Sequence, residues 1–504
     1  MKNRIMPFRI FLLILTALSV SIQACKKDRK PSIDPDEQPP AGGTRTELTL
    51  DSIFLYAKQI YLWNNQLPSY KEFNPRKYTS FEDELYAITQ KAKNPKTNQP
   101  YEYTGRNYPK YSYIEEENGI QGSLSSVNLE GEGFDFGFDI GAADSKDIRI
   151  IYVEPGSPAD EAQLVRGNRI ITINGTTIDV NTSPDFLEDA FLQAEMDLTV
   201  QRAGGKTTAV KLIKSFYTSN PVVKTAILNA GAKKVGYMAY LRFSDSLNSA
   251  GYLKKAFTEF AAAGNISDLI IDLRYNGGGY VKTAEYLANL IAPASLNGKV
   301  MYIEHYNDLM RNGKASILKN QILTDSEGQP KKTNGRTATY ADINFTEKAN
   351  TFYFKSEGVV QSIKNVYFII TGHTASASEL LINSLRPYLN VTLAGSRSYG
   401  KPVGFFPVKI DKYNVFMSNF QSRNADNFGD YFDGFLPDIP AGDDIRYDFG
   451  DPAEASLAAA LNAIGGAGIA SAKTSAAASE VKMQSLWKGK RFNGMIEDRF
   501  TLKD

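Results

Sequence analysis

The sequence predicts a multidomain α+β protein with a small helical N-terminal domain, a β-rich middle domain and an α/β core. Three observations carry this reading. Between residues 47 and 90 apolar residues recur at helical spacing. Between 134 and 213 the pattern alternates with a period of two and turns at Asn174-Gly175 and Gly204-Gly205. From about residue 216, short apolar runs alternate with helical stretches, as in a sheet built with crossover connections.

The 504 residues allow about three domains, and 42% hydrophobic composition is enough to build cores. Lys+Arg 57 against Asp+Glu 56 leaves a net charge of +1. That balance carries no signature of nucleic-acid binding, and no Walker-type loop is present. One cysteine excludes a disulfide within the chain. With only two histidines, His305 and His373, a Cys/His metal cluster is not expected, so we expect no metal and no cofactor.

Lys2, Arg4 and Arg9 precede "IFLLILTALSVSI", which reads as a signal segment over 1–24, too short for a membrane span. It ends at "IQAC", which resembles a bacterial lipobox with Cys25 as the lipidated residue, although Gln23 is atypical. The expectation is an exported protein of the cell envelope, lipid-anchored and facing the periplasm or the cell surface. The alternative is a secreted protein with an unmodified cysteine. Residues 25–46 are charged and rich in Pro and Gly, a tether that cannot build a core.

"LTLDSIFLYAKQIYLWNNQLP" places Leu55, Ile60, Leu62 and Trp63 at helical spacing, and "SFEDELYAITQKA" gives a second helix capped by Ser80. These define a helical domain over 47–115. In 120–215, "GFDFGFDI" and "DIRIIYV" read as strands, "EPGSPADEAQL" as a turn and short helix, and "RGNRIITINGTTI" as strand, turn, strand. In 216–465, "KVGYMAYLRF", "DLIIDLR", "NVYFII" and "VTLAGS" are strands with helices between them. Residues 300–360 read as a polar, irregular insertion. Residues 466–504 read as a low-complexity linker followed by an apolar tail.

Three short islands concentrate chemistry. In "IDLRYNGGGY" three successive glycines let backbone amides approach a ligand, for an anion or oxyanion role or as a plain turn. In "TGHTASASELL", Ser376 and Glu379 match a capping box, and Ser376 is equally placed to be a nucleophile. In "GSRSYGKPVG", Lys401 stands between Gly400 and Pro402. His373, three residues before Ser376, is poorly placed as its base.

Two resemblances bring these islands together. "VEPGSPADEAQLVRGNRIITINGTTI", Val153 to Ile178, resembles a PDZ domain of the circularly arranged type found in bacterial proteases. Gly156, Pro158, Ala159, Gly167, Ile170-Ile171 and Asn174-Gly175 fall at its spacing, with Asn168 where aspartate is usual. The PDZ resemblance implies a β-sandwich or barrel that adds a peptide as a strand and holds its C-terminal carboxylate on loop amides. That loop is expected within Gly133, Phe134, Asp135, Phe136, Gly137 and Phe138, with the phenylalanines as apolar surface or as core. "DLRYNGGG", "TASASE", "SYGK" and the later "GFLPD" resemble the C-terminal processing, or tail-specific, serine protease family. The resemblance covers roughly residues 125–465.

The family resemblance implies an α/β catalytic core. It implies Ser376 as nucleophile, Lys401 as general base, and the amides of Ala377 and Gly278 as the oxyanion hole. Gly277 replaces the family's proline. Phe405 stands where many members carry a glutamine that orients the lysine, which leaves the third member of the site open; Glu379 is a conceivable partner, although a structural helix role is the preferred reading. The implied partners are proteins or peptides with free C-terminal tails, and a membrane through the lipid anchor. Two alternatives follow from other classes: an inactive protease fold acting as a peptide-binding scaffold, and a lipid- or retinoid-binding protein on the same core.

Overall fold

The computed structural model describes residues 35–116, 127–325, 328–466, 494–497 and 499–503. The signal segment and Cys25 lie outside the described residues, as do most of the tether and of the linker after 466.

The core is a six-stranded sheet in the order Val222–Ala230, Lys233–Tyr240, Ile266–Asp272, Asn365–Ile370, Asn390–Gly395, Ile439–Pro440. The first pair is antiparallel and the other neighbours are parallel. Ile266–Asp272 and Asn365–Ile370 are central, and their runs "ISDLIID" and "NVYFII" are apolar because both faces are covered. The helices Ser246–Ala263, Val281–Ile291 and Ala377–Leu385 cover one face, and Ala455–Ile464 covers the other. Each parallel strand ends at the same edge as its neighbours, so the loops after Asp272, Ile370 and Gly395 cluster there. All three sequence islands lie on those loops.

The N-terminal helices Arg45–Ile60 and Phe81–Thr89 form where expected, and the Ser80 Oγ accepts the Asp83 N–H at 3.0 Å. Their apolar faces share one buried cluster with the core sheet, with Ile53, Phe54 and Ile88 joining Met238 and Ile271. The expected irregular insertion differs from the reading. Val300–Tyr306 is a strand at the centre of an antiparallel sheet with Thr351–Tyr353, Phe420–Asn424 and Val403–Gly404. Its inward face carries Tyr302, Glu304 and Tyr306. A buried glutamate breaks the apolar alternation, and that disguised the strand.

The middle domain is a five-strand path: Phe138–Asp144, Asp147–Val153, Arg169–Ile173, Glu195–Gln201, Thr207–Ile213. It closes over its own core of Ile148, Ile150, Ile170, Ile173 and Leu198. A two-stranded ribbon, Glu132–Asp135 with Ser215–Thr218, joins it to the rest. It is clamped to the core by buried charge. Arg166 donates to the Tyr275 hydroxyl at 2.6 Å and pairs with Asp443, and Arg242 pairs with Glu154. Asp443 also pairs with Arg274, which meets Asp272 and Glu454. Each guanidinium is matched by carboxylates, which offsets its desolvation.

Candidate active site

Ser376 is the last residue before the buried helix Ala377–Leu385. Its backbone is held at φ 62°, ψ −112°, a region that costs a non-glycine residue on the order of 1–3 kcal/mol. The capping box forms by half. The Glu379 Oε2 accepts the Ser376 N–H at 3.0 Å, but the Ser376 Oγ is buried with no hydrogen-bond partner among the described residues. An N-cap serine has extended dihedrals that aim its oxygen back at the helix amides, and this backbone does not. The hydroxyl does not cap the helix.

Glu379 does more than begin a helix. Its Oε2 also accepts the Lys401 N–H at 2.7 Å, and its Oε1 accepts the Gly400 N–H at 2.8 Å and the Ser398 hydroxyl at 2.5 Å. One buried carboxylate therefore ties the serine turn to the lysine loop. Burial raises its pKa, and the hydrogen bonds to Ser398, Lys401, Gly400 and Ser376 oppose that rise. The sequence offers Glu379 as a conceivable partner of Lys401 with a helix role preferred, and the structure gives it both, meeting the lysine through its backbone N–H.

Lys401 is 1% exposed. Its Nζ lies 4.2 Å from the centre of the Phe405 ring and 5.9 Å from that of Tyr111. Burial pushes its pKa down to about 7, against the opposing charges of Glu102 and Glu379. Phe405 thus contributes an aromatic face where the family's glutamine would stand. Its ring is set edge-on to Tyr113 and Phe416. Glu102 was not found from the sequence. It is fully buried, accepts the Tyr111 and Ser112 N–H groups, and comes from the helical N-terminal region.

The glycine loop reaches the serine. A Cβ added to Gly278 would lie 2.9 Å from the Ser376 Cβ, and the residue has φ 106°, so only glycine suits this position. Ala377 is the first helical residue, so its N–H has no partner within the helix. The Gly278 N–H instead donates to the Asn276 Oδ1 at 2.9 Å. Of the two expected oxyanion donors, one is presented by the helix start and the other is capped by its own loop.

Within the expected 133–138 segment, the structure divides the residues among strand, turn and core. Gly133 and Phe134 belong to the ribbon strand, where Phe134 is exposed and packs on Phe216 with ring centres 4.3 Å apart. Phe136 and Phe138 are core, packed near Phe191. They offer no binding surface, because a period-two pattern does not reveal which face is covered. Between the two strands lies the turn Asp135–Gly137. There the Gly137 N–H donates to the Asp135 Oδ1 at 2.7 Å and the Tyr217 hydroxyl to the same oxygen at 2.5 Å. Burial raises the Asp135 pKa.

Among the described residues no group of His, Cys, Asp and Glu could hold a metal ion, and no helix is long and apolar enough to cross a membrane.

Residues 234–440 match the model of peptidase family S41, and residues 126–201 match the PDZ domain. The chain is 26% identical over 296 residues to the chloroplastic C-terminal processing peptidase of Tetradesmus obliquus, covering 56% of this chain and 52% of that one. It is 29% identical over 195 residues to the carboxy-terminal processing protease CtpB of Bacillus subtilis, covering 34% and 38%. The chain spans about half the length of the curated relatives it matches, or less. A crystal structure from Bacteroides fragilis, described as that of an S41 protease, superposes with a TM-score of 0.56 at 24% identity. It covers 85% of this chain and 99% of that one. That likeness is one of fold.

Proposed function

From the match of residues 234–440 to the model of peptidase family S41 and of residues 126–201 to the PDZ domain, we propose that this chain is a serine endopeptidase. It cleaves peptide bonds with Ser376 and Lys401. The observation that carries the reading is the Glu379 bridge, which holds a strained serine turn and a buried lysine loop together. The serine turn is held at backbone dihedrals that cost on the order of 1–3 kcal/mol.

The chemistry follows from the groups. A free lysine, with pKa about 10.4, is a poor base at neutral pH. Lys401, held at about 7 by burial, is half neutral there. The neutral amine takes the Ser376 proton as Oγ attacks the carbonyl carbon of the scissile bond. The resulting oxyanion is received by the Ala377 N–H and, once Asn276 releases it, by the Gly278 N–H. The lysine then returns its proton to the leaving amine, and water resolves the acyl-enzyme by the same route in reverse. Phe405 still stands where the family's glutamine would orient the amine, and the peptidase matches over residues 234–440 are what favour the active reading over the inactive scaffold.

The PDZ domain would deliver substrates by their free C-terminal tails, and lipidated Cys25 would hold the protein on an envelope membrane. Both parts of the reading rest on the resemblances above. Activity of the purified protein on an unstructured substrate, with Ser376→Ala as control, tests the central claim. Undiminished cleavage by Ser376→Ala would refute it.

A further inference from the structure

The final residues of the chain have no counterpart in the resemblance, and the fold gives them a specific place. Gly494–Ile496 is a strand running parallel to Gly278–Tyr280, with Gly494 opposite Gly278 and Met495 opposite Gly279. On its other side the Phe405 N–H donates to the Met495 carbonyl at 3.1 Å, and the Glu497 N–H donates to the Phe405 carbonyl at 3.4 Å. Met495 has no exposed surface. The segment is thus inserted as a strand between the glycine loop and the residue that covers Lys401, using backbone groups on both sides, as an added peptide strand does.

It stands against the nucleophile. A Cβ on Gly278 would lie 2.4 Å from the Gly494 carbonyl oxygen and 2.9 Å from the Ser376 Cβ, so those two atoms are separated by no more than the two lengths together. Ser376 has no exposed surface, and neither does its Oγ. Attack needs a substrate carbonyl at roughly 3–3.5 Å from that oxygen. With Ser376 covered, the neighbouring strand position filled and the Gly278 N–H turned to Asn276, the site is closed.

The segment is also held by side chains. Arg499 donates to Glu285 at 2.7 Å and to the Tyr302 hydroxyl at 3.2 Å. Phe500 packs against Tyr340 and Phe406, and the Lys503 N–H donates to the Asp342 carbonyl at 2.8 Å. Ordering a chain costs about 1–2 kcal/mol per residue in backbone entropy alone. These anchors offset that cost only if the groove is shaped for this peptide.

We infer that the groove between Gly278–Tyr280 and Phe405 is a binding site for an extended peptide with an unbranched apolar side chain at the place of Met495. Its occupant here is the chain's own segment 494–503, which must leave before a substrate reaches Ser376. The gating half of this inference rests on the peptidase reading, and the binding half does not.

The test uses the full chain and a fluorescent synthetic peptide of residues 494–503. Met495→Asp puts a charge into the apolar site and should eject the segment. The variant should bind the peptide at least tenfold tighter than the wild type, whose groove is filled. Hydrogen exchange at the Phe405 amide should rise in the variant and fall again on adding the peptide. Cleavage of an unfolded protein should rise tenfold or more, and the peptide should inhibit it. Should Met495→Asp fail to fold, Arg499→Ala, at a part-exposed side chain, supplies the same comparison. Peptide binding no tighter than wild type, or an unchanged Phe405 amide, overturns the inference. So does a folded variant that binds peptide yet cleaves more slowly than wild type, since the segment would then be a wall of the catalytic site. Peptide binding with no cleavage by either protein leaves the groove standing and refutes the peptidase reading instead.

Discussion

Two loops of this molecule solve the same local problem with different atoms. In the core, the Gly278 N–H is capped by the Asn276 Oδ1 two residues before it. In the middle domain, the Gly137 N–H is capped by the Asp135 Oδ1, again two residues before. The Gly278 amide is one expected to receive an oxyanion, and Gly137 lies in the 133–138 segment expected to hold a peptide's terminal carboxylate. Asn276 offers a neutral oxygen, steadied by its amide donating to the Tyr240 carbonyl at 2.9 Å. An alkoxide-like oxyanion is the stronger acceptor and can take the amide from it. Asp135 offers a buried carboxyl, so an incoming carboxylate meets a group of its own kind. On the proposed roles, the difference teaches that the catalytic loop is closed weakly and the tail-binding loop firmly.

The sharpest way to break the comparison is at Ser376 and Lys401, the dyad proposed for the core. Ser376→Ala and Lys401→Arg should each lower kcat by several orders of magnitude without loss of the fold. Arginine keeps the charge but does not deprotonate, so a fully active Lys401→Arg would show that lysine is not the base. Steady-state kinetics on an unstructured protein, alongside circular dichroism, separates the outcomes. The PDZ loop should continue to bind tail peptides in both variants.

Next in size are the two glycines. Gly278→Ala places a methyl against the Gly494 carbonyl and the Ser376 side chain at positive φ, and misplaces an oxyanion donor. Loss of such a donor costs about 10²–10³ in kcat. Gly137→Ala drives a methyl into Ser157, at 2.0 Å from its Cβ, so it should abolish tail-peptide binding while a short unstructured substrate is still cleaved. Equal effects of the two changes on that short substrate would show that the domains do not act separately.

Exchanging the caps tests charge directly. Asn276→Asp sets a negative group beside the developing oxyanion and should reduce kcat by more than it changes KM. Asp135→Asn removes the competing carboxylate and should tighten binding of free-acid tail peptides several-fold. Calorimetry with free-acid and amidated peptides checks the second. An unaltered preference between those peptides would mean that the carboxylate does not use Gly137.

The smallest effect is in pH, and its sign differs between the loops. The Lys401 pKa is lowered to about 7, so its neutral, active form gains population as pH rises through that value, and kcat should rise with it. The Asp135 pKa is raised, so its charge is lost earlier as pH falls, and tail binding should strengthen toward acid. In Asp135→Asn the second trend should flatten while the first remains. Stability follows the same logic for the lysine. The unfolded chain binds a proton that folded Lys401 does not between about pH 7 and 10.4, so this residue's contribution to stability rises across that window.

The sequence by itself determined the parts whose physics is local. Strand runs such as "NVYFII", the turn residues Asn174-Gly175 and the Ser80 cap each depend on a few neighbouring residues, and each formed where the pattern placed it. The islands at 271–280, 371–381 and 395–404 were legible for the same reason, because loops after parallel strands must gather at one edge of the sheet. Tertiary structure alone decided which face is covered and which distant segments meet. It turned Phe136 and Phe138 from binding surface into core, and it made Val300–Tyr306 a central strand despite its buried Glu304. It assigned Glu379 to bridge two loops and brought Glu102 to the neighbourhood of Lys401. Above all it brought Gly494–Ile496 to the glycine loop more than two hundred residues earlier. The tail reads as apolar enough to dock, but its partner strand and the anchors of Met495, Arg499 and Phe500 are met only in the folded core.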